Sequence, residues 1–182
     1  MEPKIAVVTR EYPPQAGGIA TLVQDYVGFL SKKASVRVYL LSEQATRREE
    51  LPRRHDVGHV ADDPGTASGA LRMAGSLARQ GQSIVLFGHT NCSSLLLCLL
   101  LRGRGIRIFT LLHGMDVCSV PRIQCRLRRT GLKTRVLRYI HYSLMSGVIA
   151  NSSFTREQFK RRFPLLRCYR VHPGHWLSSK EV

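Results

Sequence analysis

The sequence predicts a doubly wound α/β fold, a single Rossmann-like domain built on a parallel sheet. Three observations carry that reading. Short apolar runs rich in β-branched residues recur at Lys4–Thr9, Ser35–Leu41, Ser83–Phe87, Ile106–Leu112, Gly147–Ala150 and Cys168–Val171. Segments with helical spacing of apolar residues lie between most of them. Several of the runs break at their C-terminal ends into turn residues, as buried parallel strands do when they reach the edge of a sheet. Strand alternating with helix in this way is the pattern of a layered α/β domain.

The elements follow in order. Lys4–Thr9 leads into Tyr12-Pro13-Pro14-Gln15-Ala16-Gly17-Gly18, a turn-rich loop. Ile19, Leu22, Val23, Tyr26, Val27 and Leu30 then fall on one helical face. With Ser35–Leu41 this completes a βαβ unit, whose crossover is right-handed. Residues 42–65 are polar and charged and are expected to form a long surface loop. Thr66 to Gln80 carries Ala70, Leu71, Ala74, Leu77 and Ala78 on one side and predicts a helix. Ser83–Phe87 is a strand, and Gly88-His89-Thr90-Asn91 is its exit turn. Ser93 to Leu101 is apolar nearly all round, which predicts a largely buried helix. Ile106–Leu112 runs straight into His113-Gly114-Met115-Asp116. Val136, Leu137, Ile140 and Leu144 have helical spacing. Gly147–Ala150 is a very short strand, Asn151-Ser152-Ser153 a helix cap, and Phe154–Phe163 a helix ended by Pro164. Cys168–Val171 is the last strand, followed by His172-Pro173-Gly174.

Composition narrows the function classes. The 182 residues are 43% apolar and 22% charged, so a packed core is expected rather than disorder. The balance of 28 Lys and Arg against 12 Asp and Glu gives a formal charge of +16, which attracts polyanions. Met1–Pro14 does not read as a signal peptide, because the apolar run Ile5–Val8 is too short. The apolar run Leu95–Leu101 is far below the roughly 20 residues that span a bilayer. The five cysteines make no C-x-x-C pair and fit reduced thiols in a cytosol. His55, His59, His172 and His175 lack ligand spacing, so no metal and no cofactor are assigned.

Ligands of doubly wound folds sit beyond the carboxyl ends of the strands, so the candidate residues lie on the loops that leave them. Gly17 and Gly18 let a backbone approach a ligand, and the helix that follows offers free N–H groups to a phosphate or a sugar. A plain tight turn reads equally well from the glycines alone. The loop has neither G-x-G-x-x-G nor G-x-x-x-x-G-K-[ST]. His113, at a strand end, is either an acid, a base or a hydrogen-bond donor to a hydroxyl, with Asp116 to orient it or bind a hydroxyl itself, or a histidine bonded to backbone. His89 and Asn91 form a similar pair. Asn151, Ser152 and Ser153 are a helix cap first and ligand contacts second. Between Arg122 and Arg138 there are seven Arg and Lys and no acidic residue. That run reads first as a solvated face, second as a surface for anionic membrane, and last as a nucleic-acid contact, since no aromatic residue falls within it.

Four motifs in order resemble the N-terminal domain of family 4 glycosyltransferases, which are retaining enzymes of the GT-B fold. They are Glu11-Tyr12-Pro13-Pro14 with Gly17-Gly18-Ile19-Ala20, His113-Gly114-Met115-Asp116, Ala150-Asn151-Ser152-Ser153-Phe154-Thr155, and Arg170-Val171-His172-Pro173-Gly174. The resemblance runs to about Gly174, so residues 1–174 are expected to be the domain and 175–182 a tail at an interdomain boundary. It implies transfer of a sugar from a nucleotide-sugar to a glycan or lipid acceptor, with retention and without an essential metal. It implies that this half binds acceptor. Gly17-Gly18 would reach the donor phosphates or sugar, and His113, at the reaction centre, would touch the donor sugar. Gly114, Asp116, Asn151, Ser152 and Ser153 would lie along the cleft.

The resemblance also predicts a missing part. The family's second domain, which carries the cations on the donor diphosphate and a pair of spaced glutamates, has no counterpart in these residues. A truncated product or a fragment would look like this. Little transfer is expected without a separate chain that supplies the donor half. A non-catalytic basic module on anionic membrane is the alternative, and a cytoplasmic position, peripheral on the inner face of the membrane, suits both.

Overall fold

The computed structural model describes residues 2–14, 17–41, 56–59, 64–113 and 132–171. In chain order these form β1 (Lys4–Thr9), α1 (Gly18–Leu30), β2 (Ser35–Leu40), β3 (Asp56–His59), α2 (Ala67–Arg79) and β4 (Ile84–Phe87). A single 3₁₀ turn, Thr90–Cys92, precedes α3 (Leu95–Gly103) and β5 (Arg107–Leu112). Then come α4 (Leu132–Ser143), β6 (Gly147–Ala150), α5 (Ser153–Arg162) and β7 (Cys168–Arg170).

The strands make one seven-stranded sheet in the order β3-β2-β1-β4-β5-β6-β7. Every pairing is parallel. The chain winds outward from β1 to β3, then returns to β4 and winds the other way. The order therefore reverses between β1 and β4, where Val8 lies opposite Phe87. A crevice beyond the carboxyl ends of these two strands is the usual ligand position in such sheets.

Alternation along the strands splits the core in two. Ile5, Val7, Val38, Leu40, Leu86 and Leu111 meet α1 through Leu22, Val23, Tyr26 and Val27. Ala6, Val8, Tyr39, Val85, Phe87, Ile108, Leu112, Val148 and Ala150 meet Met73 and Leu77 of α2, Leu97 and Leu101 of α3 and Phe159 of α5. Each fully buried Val or Leu is worth about 1.5–3 kcal/mol, so both layers hold the sheet. Gly81 and Gly105 follow the ends of α2 and α3 with φ of 69° and 74°, a conformation that a side chain would oppose.

Two expectations are corrected. Residues 42–65 are not a loop throughout: Asp56–His59 adds β3 to the sheet beside β2. Helix α3 is not buried all round. Leu97, Cys98 and Leu101 are inside, whereas Leu96 and Leu99 are exposed. A helix between a sheet and solvent has one inner stripe, and its leucines outside that stripe stay wet.

Candidate functional site

The loop that leaves β1 is tied down before it reaches the crevice. Thr9 is fully buried. Its hydroxyl donates to the Glu11 carbonyl at 3.0 Å and accepts from the Glu11 N–H at 3.2 Å. Tyr12 is also fully buried, which roots the loop in the α1 layer. Burial pushes its phenol up to about 12, so the ring acts as an apolar anchor.

Gly17 and Gly18 then open α1. Gly17 is extended, with a φ of 166°, and neither glycine lies in the left-handed region. A Cβ on Gly17 would meet the Glu11 carboxylate at 3.5 Å, an ordinary contact, and a Cβ on Gly18 would meet nothing within 4 Å. Helices α2, α3 and α5 start on Thr66, Ser94 and Ser152, whose hydroxyls accept backbone N–H groups. Gly17 has no side chain to do this for α1.

The loop that leaves β4 is built differently. A Cβ on Gly88 would lie 2.6 Å from Thr9 Oγ1 and 2.8 Å from Thr9 Cβ. That glycine is what lets the two loops pack side by side. The Gly88 N–H donates to the Val8 carbonyl at 2.8 Å, which carries the pairing of β1 and β4 one step past the strands. His113, at the end of β5, donates from Nε2 to the Gly88 carbonyl at 2.8 Å. A carbonyl can only accept, so the Nε2 proton is fixed and Nδ1 is the acceptor atom of the neutral ring. His89 is buried and meets His113 edge to face, with ring centroids 6.4 Å apart. Beneath them, Cys92 is fully buried. Desolvation pushes its thiol up to about 11, and backbone hydrogen bonds with His89 and Arg10 pull it back only in part. The thiol is an inert link between the two loops.

The β6 exit satisfies itself. Ser152 Oγ accepts the Thr155 N–H at 3.1 Å, and Thr155 Oγ1 donates to Asn151 Oδ1 at 3.1 Å. Ser153 Oγ accepts from Arg170 Nη1 at 2.8 Å. Ser152 is the cap within the Asn151-Ser152-Ser153 segment that the sequence suggested.

The structure therefore brings His89 and His113 together and ties the β1 exit to the β4 exit. Asn91 belongs to the 3₁₀ turn. Gly114, Asp116, the run from Arg122 to residue 131 and the turn and tail from His172 onward lie outside the described residues. Among the described residues no three His, Cys, Asp or Glu gather as metal ligands, and no helix is long and apolar enough to cross a membrane. Sequence reasoning missed Thr9 and Cys92. Their positions one step from a strand end and inside an exit turn were the available signal.

Comparison with known proteins adds three findings. The sequence model of Glycosyltransferase Family 4 matches residues 16–175. A GDP-mannose-dependent alpha-(1-6)-phosphatidylinositol monomannoside mannosyltransferase of Mycolicibacterium smegmatis is 27% identical over 179 residues, which cover 92% of this chain and 43% of that protein. Among solved structures, Anabaena HepE in complex with UDP-glucose superposes with a TM-score of 0.64 at 15% identity, covering 94% of this chain and 44% of that one. The UDP-GlcNAc 2-epimerase of Methanocaldococcus jannaschii gives 0.57 at 13% identity, covering 92% and 45%. The two structural likenesses show the fold alone, and an epimerase among them shows that this fold is not tied to one reaction. The chain spans less than half the length of each of these proteins.

Proposed function

The chain belongs to glycosyltransferase family 4, and from that premise we propose that it is the acceptor-binding half of an enzyme that moves a sugar from a nucleotide-sugar to a glycan or lipid acceptor with retention. The observation that carries this reading is the reversal of strand order between β1 and β4, the usual ligand position in such sheets. On one side α1 opens on two glycines, and among the described residues a Cβ on Gly18 would meet nothing within 4 Å. On the other, His113 is held by Nε2 on the Gly88 carbonyl. In this reading the α1 N–H groups meet donor phosphate or a sugar hydroxyl, and His113 accepts from a hydroxyl of the donor sugar through Nδ1. His89, beside His113, would face the same ligand, the family motif assigns Gly114 and Asp116 to substrate binding, and its strand-exit position assigns Asn91 to it. The nucleotide-sugar is a substrate, and no metal or cofactor is invoked.

Departure of the diphosphate needs cations or dipoles aimed at it. The half that supplies them comes from another chain or from the rest of a longer protein, so the 182 residues alone are expected to transfer little or nothing. The mannosyltransferase likeness makes GDP-mannose the donor to try first and a lipid-linked mannoside the acceptor. The test is transfer of labelled mannose by this chain fused to the donor half of a family 4 mannosyltransferase. His113→Ala is expected to lower turnover by about 100-fold, while stability falls only by the roughly 1 kcal/mol of the lost Gly88 hydrogen bond. Full activity in that variant would sink the site assignment, and a fusion inert with GDP- and UDP-sugars alike would sink the half-enzyme reading.

One observation favours a second reading, a non-catalytic module resting on anionic membrane at the cytoplasmic face. Tyr142 of α4 packs against Phe159 and Phe163, whereas Val136, Leu137 and Ile140 are exposed. The helix thus turns apolar groups outward, at the end of the basic run Arg122–Arg138. Sedimentation with phosphatidylglycerol vesicles, reversed by salt and weakened by Ile140→Glu, is the expected result. Equal binding to neutral vesicles would remove the electrostatic account.

A further inference from the structure

The segment that leaves β4 is held at both ends by histidines from other elements. At its start, the Gly88 carbonyl accepts from His113 Nε2. At its end, Ser93 Oγ lies 3.1 Å from His141 Nε2, on α4. The Ser93 hydroxyl donates to the Thr90 carbonyl at 3.0 Å. Its single proton is then spent, so toward His141 it is an acceptor and Nε2 is the donor. Cys98 hydrogen-bonds the same hydroxyl. Burial pushes that thiol up to about 12, and the bond to Ser93 pulls it back only in part. The Ser93 hydroxyl thus links the Thr90 carbonyl to the His141 ring.

Order passes from Ser93 toward the site through short bonds. The Thr90 carbonyl takes both the hydroxyl of Ser93 and its N–H, the latter at 3.3 Å. Cys92 N–H donates to the His89 carbonyl at 3.0 Å and closes the turn. The His89 ring meets His113 at 6.4 Å. His141 is itself stacked on Tyr142 at 6.0 Å and 15°, and Tyr142 packs on Phe159 and Phe163. A rigid aromatic group therefore backs the donor.

We infer that His141 is a positioning residue for the His89–His113 pair, acting through the Ser93 hydroxyl and the Thr90–Cys92 turn. Its role in transfer rests on the reading that His113 faces the donor sugar. The geometric claim can be tested without any transfer, on this chain.

Histidine ring resonances report it by NMR with labelled histidine. In the wild type His113 is expected as a single Nε2–H tautomer. His141→Phe keeps a flat ring and removes the donor, and it should shift or broaden the ring signals of both His89 and His113. His141→Gln places an amide N–H at a similar reach and should restore the wild-type signals. Ser93→Ala removes the acceptor from the other side and should reproduce the His141→Phe spectrum, which keeps the test open if one variant folds poorly. Methyl signals of Val27 and Leu30 on α1 should stay in place throughout. Unchanged His89 and His113 signals in both His141→Phe and Ser93→Ala would overturn the inference. So would a failure of His141→Gln to restore them, since then packing alone would explain the effect. The transfer assay on His113→Ala decides the functional reading separately.

Discussion

Gly18 and Gly88 stand on the two loops that border the crevice, and they are glycines for different reasons. At Gly88 a Cβ would drive into Thr9 at 2.6 Å and lie 3.3 Å from Val23. The fold alone accounts for that residue. At Gly18 a Cβ would touch nothing within 4 Å, and the backbone is not in a region reserved for glycine. Among the described residues, packing does not account for it. A residue that packing explains says little about function, and one that packing leaves unexplained beside an open helix terminus points to something outside the chain. The same division separates the β6 exit, whose polar groups pair with one another, from the β1 exit, where the first turn of α1 has no side-chain cap.

The largest effect is expected where packing rules. Gly88→Ala must part the β1 and β4 loops, and overpacking of this kind costs about 2 kcal/mol. For a chain of this size that lowers Tm by roughly 5 °C, read by thermal denaturation. An unchanged Tm would mean that Thr9 moves aside freely and that the two loops are not locked together. Ser152→Ala comes next. It removes the hydroxyl that accepts the Thr155 N–H at the start of α5, a loss of about 1 kcal/mol. If the variant kept its Tm but lost transfer in the fused enzyme, the cap would be secondary and Ser152 would move to the ligand side of the comparison.

Much of this arrangement was legible in the sequence, and the failures have physical causes. Buried parallel strands read as continuous apolar runs, so Lys4–Thr9, Ile84–Phe87 and Arg107–Leu112 stood out. Strand β3 did not. Its Asp-Val-Gly-His sequence has a single large apolar residue, and it joins the edge of the sheet by backbone pairing with Arg37–Leu40, which leaves no mark in the side chains. In α3 the run Leu95–Leu101 is apolar on every side, so periodicity could not choose the inner stripe. The strand-end histidines His89 and His113 were visible by position. His141 was not, because its contact with Ser93 spans 48 residues and depends on how α4 lies beside α3. Sequence patterns report which face is buried far better than which polar atoms meet across it.

The smallest expected effect on stability is the most informative about function. Gly18→Ala adds one methyl group at the first turn of α1, in space that the described chain leaves open. Alanine is favoured over glycine in a helix and has less freedom to lose on folding, so the variant should match or exceed the wild type by up to about 0.5 kcal/mol. Any functional loss then cannot be charged to the fold. If the fused enzyme keeps its Tm and loses transfer, with a raised KM for the nucleotide-sugar, the methyl group occupies room that the donor needs. Unimpaired transfer in Gly18→Ala would mean that the open space at α1 is simply solvent, and the burden of the site would shift to His113 and the residues around it. A fall in Tm comparable to that of Gly88→Ala would erase the contrast between the two glycines, because it would show that Gly18 too is held by contacts within the chain.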